Sequence, residues 1–425
     1  MRYRGPAKHG RRFLWGALVI LTICGFLSCG SPPADLRTLV PGDALVFLET
    51  NDLGRTIAAI TGNAKFAELA KNKPNVSALN GIKVAIAVTG FETSEQPLTD
   101  EDSVLNFQPH FVAVAETNAW SWQTASFAED QLGEFVNEIY GGEVELESVP
   151  KYDGKLYAWK AVDGRMAYAY LEGSLVFFGN DLTAIEKCLS VKRGETESIA
   201  KNQKIKPASD SIGYGYISTD GVAQLANIAG VTLAMKAGEE ADVKSFMSRV
   251  IPEILRGSVT DVAWTATSTA DGRIEDRYLI GLETETLKIF AETLGPSGNT
   301  DPDLSRFVPK EFATTTLYNF ADPRIAWRSV VLTAQKRTDQ VSGSLLNAFS
   351  GSLFEPYGID DPEIFLSAAG QVIQTVAIDD DADNVAVIAS FKDFEKIKKG
   401  IAKEVNFAKP PEKIENADVW RSDDN

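Results

Sequence analysis

The chain has 425 residues, more than one typical domain, and its 44% hydrophobic and 24% charged content is ordinary for a globular protein with a core. This composition excludes a largely disordered chain. With 42 basic and 59 acidic residues the formal net charge is −17. Such a negative net charge is expected to repel nucleic acid and anionic lipid headgroups. We therefore predict that nucleic acid is not a partner.

The first 28 residues have the features of a signal peptide. Basic residues with no acid among them are followed by an apolar run over residues 13–27, which is shorter than the ~20 residues of a membrane span. The run ends in Ser28-Cys29, and a small residue before a cysteine here resembles the lipobox of bacterial lipoproteins. The resemblance implies that Cys29 is diacylated on sulfur and becomes the mature N-terminus. An uncleaved anchor and an ordinary signal peptide are the alternatives.

This interpretation predicts a lipoprotein attached to the bacterial membrane by its N-terminal lipid and facing the periplasm or the exterior. Residues 1–28 are then the signal peptide and residues 29–36 a tether. Five basic and no acidic residues precede Cys29, so the chain from Cys29 onwards carries a formal charge of −22. Of the three cysteines only Cys188 is left to the folded body, and we expect a buried, unreactive thiol on the apolar side of a helix.

A strand, a polar turn and an amphipathic helix follow the tether, and the same pattern occurs again later in the chain. The two segments cover residues 39–60 and 307–331. Pro41 and Pro309 lie where a strand begins, so the missing N–H removes no ladder hydrogen bond. Asp52 and Asp322 lie where a helix begins and suit the N-cap position. We therefore predict two related copies of one unit.

The first copy and its extensions form a predicted first domain over residues 37–294. Predicted strands cover residues 44–48, 81–88, 111–116, 155–160, 165–171, 174–178, 212–217, 259–268 and 273–283. Predicted helices cover residues 64–73, 120–140, 182–189, 222–229, 243–255 and 284–294. Residues 91–108 are predicted to be an acidic loop. Asp163-Gly164, Glu172-Gly173 and Asp271-Gly272 lie between alternating apolar residues and indicate tight hairpins.

A linker rich in Gly, Pro and Asp over residues 295–303 marks the predicted domain boundary, and the second copy covers residues 304–425. Its predicted strands are residues 314–320, 371–378 and 385–391, with a helix over 394–405. The match to the first copy continues into residues 416–420 and stops there, so we expect the second copy to be incomplete. The hairpins favour an antiparallel or mixed sheet with helices on one face, and hence an α+β fold.

Four short motifs resemble a bacterial envelope family known only as a domain of unknown function. They are Val40-Pro41-Gly42-Asp43, Asn51-Asp52, Tyr168-Ala169-Tyr170 and Tyr357-Gly358-Ile359-Asp360. The resemblance would extend from Leu36 to the end of the chain. It implies exported, membrane-tethered proteins and supplies no activity, cofactor or site residue.

Motifs that would carry catalysis are scarce. His110 is the single histidine after the signal segment, so a histidine-based zinc site or a Ser-His-Asp triad would have to use it. No G-x-S-x-G, P-loop or H-E-x-x-H sequence occurs. Ser198-Ile-Ala-Lys201 matches the bare S-x-x-K pattern of penicillin-recognising enzymes, but it lies in a polar linker without the companion motifs. We interpret it as a chance match and expect no cofactor.

Alternating carboxylates form the best metal-binding candidate. They are Asp379, Asp381 and Asp383. Their spacing is that of the start of an EF-hand loop, but Asn384 stands where glycine is required and Ser390 where the bidentate glutamate should be. The segment also joins two predicted strands. A solvated acidic hairpin tip is therefore the main interpretation and weak Ca²⁺ binding the alternative.

Aromatic residues are concentrated in one part of the first domain and form the ligand-binding candidate. The candidates are Trp120, Trp122, Tyr157, Trp159, Tyr168 and Tyr170, and Tyr152 lies among them. Aromatic residues favour strands, so an ordinary core and sheet face would explain them. An exposed aromatic platform for an apolar or carbohydrate ligand is the functional alternative.

The leading functional hypothesis is a non-catalytic envelope lipoprotein that acts as a tethered binding or scaffold module, with an envelope protein, lipid or glycan as its ligand. The alternative is a carboxylate-dependent hydrolase, because acidic residues abound and this chemistry needs no histidine. A pocket with two facing carboxylates, one of them buried with a raised pKa, would favour the hydrolase.

Overall fold

The computed structural model describes residues 35–62, 80–97, 103–117, 126, 132–142, 144–206, 208, 211–236, 246–269, 273–293, 304, 306–379, 384–401, 405, 407–414 and 417–421. The architecture is α+β with antiparallel sheets, as predicted. The contacts divide the chain into two compact units. Unit 1 combines Met1–Leu225 with Val259–Gly281, and unit 2 combines Ala226–Ser258 with Leu282–Asn425.

Unit 1 is built on a ten-stranded antiparallel sheet. Its strands are β1 (Val46–Thr50), β2 (Lys83–Pro97), β3 (Ser103–Glu116), β4 (Val144–Lys151), β5 (Gly154–Ala161), β6 (Met166–Glu172), β7 (Leu175–Gly179), β8 (Gly213–Ile217), β9 (Val259–Ser268) and β10 (Ile274–Leu282). The order across the sheet is β10-β9-β8-β1-β2-β3-β7-β6-β5-β4. Helices α1 (Leu53–Gly62), α2 (Gly133–Tyr140) and α3 (Leu182–Lys192) follow β1, β3 and β7. Helix α4 (Thr219–Lys236) follows β8, and its residues from Ala226 onwards group with unit 2.

Glycine turns join the strands of the meander β5-β6-β7. Gly164 and Gly173 have φ angles of 89° and 62°, which a residue without a Cβ adopts at little cost. The two turns place β5 against β6 and β6 against β7 in antiparallel register. The hairpins predicted at Asp163-Gly164 and Glu172-Gly173 are therefore confirmed. The Asp271-Gly272 turn lies outside the described residues.

Helices cover both faces of this sheet, whereas the sequence suggested helices on one face. On one face, Ile185 and Cys188 of α3 pack in a core with Tyr170 and Phe177. On the other face, Val136 of α2 packs in a second core, together with Leu132, Tyr157, Trp159 and Ala169. Neighbouring residues of β5, β6 and β7 point to opposite faces and are apolar on both, which is the pattern of a sheet buried on two sides.

Two predictions for unit 1 are corrected by the structure. The acidic loop predicted over residues 91–108 is instead largely strand, because β2 and β3 continue as a long two-stranded ribbon with a bulge between Val88 and Gly90. Strand β4, which pairs with β5, had not been predicted. Both stretches are rich in polar residues in the sequence, since an edge strand or a two-stranded ribbon does not need the apolar alternation of a half-buried strand.

Unit 2 contains a three-stranded sheet and a helical layer. The strands are β11 (Thr314–Asn319), β12 (Ala369–Ala377) and β13 (Val385–Phe391), in the order β11-β12-β13, and a separate hairpin pairs β14 (Glu412–Ile414) with β15 (Ala417–Val419). The helices are α5 (Ile251–Ser258), α6 (Thr284–Thr293), α7 (Pro323–Lys336), α8 (Gln340–Phe349), α9 (Pro362–Ala368) and α10 (Phe394–Gly400). Phe365, Ile373 and Ile397 pack in the core between α9, α10 and β12.

The two predicted copies share the order of their strands, and the second copy places the three helices α7, α8 and α9 between its first two strands. Each begins with a proline five residues before the first strand, Pro41 before β1 and Pro309 before β11. The first strand pairs with the second and the second with the third, all antiparallel. A helix follows the first strand and another follows the third, and a hairpin comes next, β4-β5 in one copy and β14-β15 in the other.

The hairpin tryptophans extend this equivalence to side-chain packing. Trp159 of β5 packs with Val136 of α2 and with Leu132, which directly precedes that helix. Trp420, directly after β15, packs on Phe394 at the start of α10, with ring centroids 5.6 Å apart. In both copies a tryptophan of the hairpin therefore covers the helix that follows the third strand.

The helix after the first strand is capped by the same residue type in both copies, which leads to a stability prediction. The Arg55 N–H donates to Asp52 Oδ1 at 2.9 Å, and the Ile325 N–H donates to Asp322 Oδ1 at 3.0 Å. Asp52→Ala and Asp322→Ala are each expected to lower the free energy of unfolding by about 1 kcal/mol. Urea unfolding would measure this, with Asp→Asn at each site as the control that keeps a capping oxygen. An alanine variant as stable as its asparagine counterpart would contradict the cap.

The compact units do not coincide with the predicted domains 37–294 and 304–425. Ala226–Ser258 and the residues after Gly281 group with unit 2, while the hairpin β9-β10 between them belongs to unit 1. A single boundary along the sequence cannot describe units that are each built from two separate segments. The predicted linker 295–303 lies outside the described residues. Across the described ranges, no helix is both long and apolar enough to cross a membrane.

Candidate functional site

Several residues that the sequence put forward lie outside the described residues. They are Cys29, Trp120, Trp122, Asp381 and Asp383. Of the acidic hairpin tip the structure describes Asp379, whose Oδ2 accepts a hydrogen bond from Asn384 Nδ2 at 2.6 Å. In the part of the chain that the structure describes, no group of three or more His, Cys, Asp and Glu residues is placed to hold a metal ion.

The described aromatic candidates do not form one exposed platform. Tyr157 and Trp159 lie in the core on the α2 face, with 0% and 1% of their surface exposed. Tyr168 and Tyr170 lie on the α3 face, where Tyr170 is fully buried and Tyr168 partly so. The alternation along β5 and β6 sends the two pairs to opposite sides of the sheet. The aromatic-platform hypothesis is therefore wrong for these four residues, and the core interpretation describes them.

Pro41, Gly42 and Asp43 of the Val40-Pro41-Gly42-Asp43 motif line an open cleft of about 670 Å³ in unit 1. The Gly42 N–H donates to the Glu197 carbonyl at 2.8 Å, and the Ile199 N–H donates to the Val40 carbonyl at 2.9 Å. A Cβ on Gly42 would come within 3.1 Å of that Glu197 oxygen, so glycine allows the close approach. The motif thus ties the chain before β1 to residues 197–199.

One wall of the cleft is a polar face of α3. It carries Thr183, Glu186, Lys187 and Ser190, which are three or four residues apart and so lie on one side of the helix. Ile185 and Cys188 lie on its buried side. Burial raises the pKa of the Cys188 thiol to about 12, so this thiol stays protonated and unreactive, as predicted. The cleft is also lined by residues 196–199, 201 and 202.

Carboxylates and lysines are paired in and around this cleft. Lys187 Nζ donates to Asp43 Oδ2 at 2.8 Å, linking α3 to the motif. Lys201 Nζ donates to Glu197 Oε1 at 2.8 Å, and this hydrogen bond holds the pKa of Glu197 below its usual value. Glu186 is paired with Lys151. Lys201 is therefore engaged by a carboxylate, which agrees with the interpretation of Ser198-Ile-Ala-Lys201 as a chance match.

Tyr152 lies beside the cleft in an unusual backbone conformation. Its φ angle is 51°, the one positive value of a non-glycine residue within the described ranges, and bulky residues rarely adopt it. The side chain is 57% exposed. Its hydroxyl donates to Glu186 Oε2 at 3.4 Å, and the Arg193 guanidinium stacks 4.4 Å from the ring centroid. An exposed aromatic ring is thus fixed next to a carboxylate of the cleft.

Glu49, a carboxyl group with a raised pKa, lies outside the cleft. Glu49 on β1 is 7% exposed, and its burial raises its pKa above the usual value. The Ala208 N–H donates to Glu49 Oε2 at 3.4 Å. Asp35 is the carboxylate that acts on it electrostatically, and Asp35 is itself paired with Arg37 at 2.7 Å. Glu49 does not line the cleft.

His110 lies between two carboxylates at the junction of β3 and α3. Its Nε2 is 3.3 Å from Glu92 Oε2, and its Nδ1 is 3.4 Å from Asp181 Oδ2. Asp181 also caps α3, because the Thr183 N–H donates to its Oδ1 at 2.9 Å. These contacts give His110 a structural partner on each side and leave neither ring nitrogen directed at a serine.

Sequence reasoning missed the cleft. The signal that could have indicated it is the helical spacing of Thr183, Glu186, Lys187 and Ser190 on the side of α3 opposite Cys188. Contacts between residues distant in the sequence, such as Asp43 with Lys187, carried no such signal. No protein-family model, no curated protein and no solved structure matches the chain. The resemblance to a domain-of-unknown-function family therefore stays a prediction.

Proposed function

We propose that the chain is a non-catalytic lipoprotein of the bacterial cell envelope, which is tethered by its N-terminal lipid and acts outside the cytoplasm as a binding or scaffold module. The short apolar run before Cys29 and the charge of −22 after it support an N-terminal lipid anchor and a location in the cell envelope. The cleft supports the binding role. Its volume of about 670 Å³ is in the range of small-ligand sites.

The observation that carries the proposal is that two carboxylates in the cleft are exposed to solvent and paired with lysines. Asp43 and Glu197 have 66% and 77% of their side chains exposed and each is bonded to a lysine. A carboxylate hydrolase needs a buried acid of raised pKa opposite a second carboxylate. Among the described residues the buried acids are Glu49, whose pKa is raised by burial, and Asp261, and neither lines the cleft. This separation favours recognition over the alternative of hydrolysis.

A capture experiment tests the binding role. A photo-crosslinking residue in place of Thr183, on the cleft wall, would be compared with one in place of Glu145, exposed on β4 away from the cleft. Both full-length variants would be irradiated in an envelope fraction, and bound lipids, glycans and proteins identified by mass spectrometry. We expect a defined, intact adduct at position 183 and none at 145. Equal adducts at both positions, or adducts only of cleaved products at 183, would contradict the proposal.

The tether leads to a separate prediction. Cys29→Ala is expected to abolish incorporation of a fatty-acid analogue and to leave the protein unprocessed or released from the membrane, because a single Cys-linked lipid group provides the anchor. High salt should not release the wild type, since ionic screening does not weaken a lipid anchor. Metabolic labelling and fractionation measure both effects, with Cys188→Ala as the control. An unlabelled wild type in the envelope fraction would refute lipidation.

A further inference from the structure

We infer that strand β10, at the edge of the ten-stranded sheet, pairs with β10 of a second copy of this chain. The inference goes beyond the proposed binding function and depends neither on the cleft nor on the lipid anchor. β10 is the last strand at one end of the sheet and β4 the last at the other. Within β10, Tyr278, Leu279 and Ile280 are 65%, 72% and 55% exposed. An exposed apolar edge strand is a template for pairing with another chain.

The two edges of the sheet differ in how well they are protected. β4 has the sequence VELESVPK, with three charged residues and a proline that has no N–H to donate. Such residues keep an edge strand from pairing with another chain. β10 has the sequence IEDRYLIGL, where the charged residues all precede the apolar run and there is no proline. Because only β10 is unprotected, pairing through it ends with two copies and does not continue into a fibre.

The contacts between β9 and β10 determine which backbone groups of β10 point to the open edge. The Thr269 N–H donates to the Arg273 carbonyl at 2.8 Å, and a Cβ on Gly281 would lie 2.7 Å from Asp261 Oδ2. Both contacts fit one antiparallel register, with 273 opposite 269 and 281 opposite 261. In this register the odd-numbered residues of β10 bond to β9. The even-numbered residues therefore direct their N–H and C=O groups to the open edge.

A two-fold axis through Leu279 matches this edge to itself. Tyr278 then lies opposite Ile280 of the second copy, and both residues direct their backbone groups to the other strand, as a hydrogen-bonded antiparallel pair requires. The symmetry produces this pair twice. Its side chains, one aromatic and one β-branched, form a stabilising cross-strand combination on one face of the sheet. Leu279 packs against its own counterpart on the other face, so each exposed apolar residue contacts another.

Charge complementarity in the same register favours a second copy over an unrelated strand. Arg277 lies opposite Gly281 of the second copy, which has no side chain to block its path. Asp261 lies next to that glycine on the same face and is 8% exposed. The Arg277 side chain is 80% exposed and its described ion pair is with Glu275 of its own strand. Its guanidinium can therefore extend over the glycine to Asp261, which is paired with Lys204 but retains free acceptor sites. A strand of another protein would have to supply an arginine at this position.

Cysteine cross-linking of the full chain tests the pairing. Leu279→Cys would place two thiols on the axis in a non-hydrogen-bonded pair, with Cα atoms about 4.5 Å apart, a separation that a disulfide spans. Leu146→Cys is the matched control, because Leu146 is 43% exposed on the protected edge strand β4. Under mild oxidation of detergent-solubilised protein, we expect most of the Leu279→Cys chain and little of the Leu146→Cys chain to form a disulfide-linked dimer.

Variants without a new cysteine test the same contacts by the dilution at which the dimer dissociates in analytical ultracentrifugation. Tyr278→Lys is expected to weaken association about tenfold or more, because it replaces two cross-strand pairs per dimer by charges at the edge. Tyr278→Phe keeps the ring and should change association by less than about threefold. Arg277→Ala is expected to weaken it about threefold or more, by removing two charge pairs. Circular dichroism would verify that each variant is folded.

Equal cross-linking at positions 279 and 146, a wild type that is monomeric at every concentration, or a Tyr278→Lys variant that associates like the wild type would overturn the inference. A disulfide between Leu279→Cys and a different protein in an envelope fraction would also refute the second copy, since β10 would then take a heterologous strand. The outcomes are separable from the proposed function. A dimer without a defined adduct at position 183 would refute the binding role of the cleft alone, and an adduct without a dimer would refute the pairing alone.

Discussion

Trp159→Ala is expected to lower the free energy of unfolding by about 3–5 kcal/mol, the range for truncating a buried tryptophan. The side chain is 1% exposed and belongs to the core between β5, β6 and α2. Its ring stacks on that of Tyr157 with centroids 6.1 Å apart. Alanine would leave a cavity against Leu132 and Val136, which α2 could fill only by moving. Urea unfolding followed by far-UV circular dichroism measures the loss.

Two further variants make this prediction specific. Within the described part of the chain the buried Trp159 indole nitrogen has no hydrogen-bond partner, so phenylalanine removes a donor that no described residue satisfies, along with part of the ring. Trp159→Phe should therefore cost less than half of what alanine costs. Leu146→Ala is the control, because Leu146 lies opposite Trp159 on β4 but is 43% exposed. It should cost less than about 1 kcal/mol. Equal losses for the alanine and phenylalanine variants would contradict the account.

Local signals explain the parts of the fold that the sequence predicted. Gly164 and Gly173 adopt the positive φ that their hairpins require, and Asp52 and Asp322 form the caps that their positions suggested. These features depend on a few neighbouring residues and hold in most tertiary settings. The two copies could be found because each combines a proline, a strand and an aspartate cap within one short segment.

Tertiary placement explains the parts that failed. The strands β5 and β6 are apolar on both faces, which is typical of burial on two sides, but the strands alone do not specify which helix covers which face. Tyr157 and Tyr170 look alike in the sequence, yet they lie in different cores. The ribbon of β2 and β3 was predicted to be a loop, because strands outside the core do not show apolar alternation.

The candidate site could be predicted least of all. Its defining pair, Asp43 and Lys187, is separated by 144 positions. Glu197 and Lys201 lie in a stretch that reads only as a polar linker. Tyr152 is distinguished by its backbone angle and its exposure, and neither property follows from residue type. The sequence did show the polar face of α3. That this face lines a cleft depends on its contacts with residues distant in the sequence, such as Asp43.

Glu49 gives the second prediction, which concerns pH. The carboxyl group lies on the core side of β1, where it is 7% exposed and where Tyr214 and Ala85 are its cross-strand neighbours. Burial raises its pKa, and the Ala208 N–H and Arg37 only partly oppose this. A group with a folded pKa above the unfolded value stabilises the folded state below the unfolded pKa. That contribution is lost as the pH rises through the folded pKa.

Glu49→Gln is therefore expected to raise the free energy of unfolding at pH 7 by about 1–2 kcal/mol, because the amide keeps an acceptor for the Ala208 N–H without a buried charge. The gain should shrink as the pH falls and vanish below the usual glutamate value of 4.5, where Glu49 is protonated in both states. Urea unfolding from about pH 4 to pH 8 measures this difference. Glu145→Gln, exposed on β4, should show no such pH-dependent gain. A Glu49→Gln variant that is less stable than the wild type at pH 7 would show that Arg37 and the Ala208 N–H outweigh the burial of the charge.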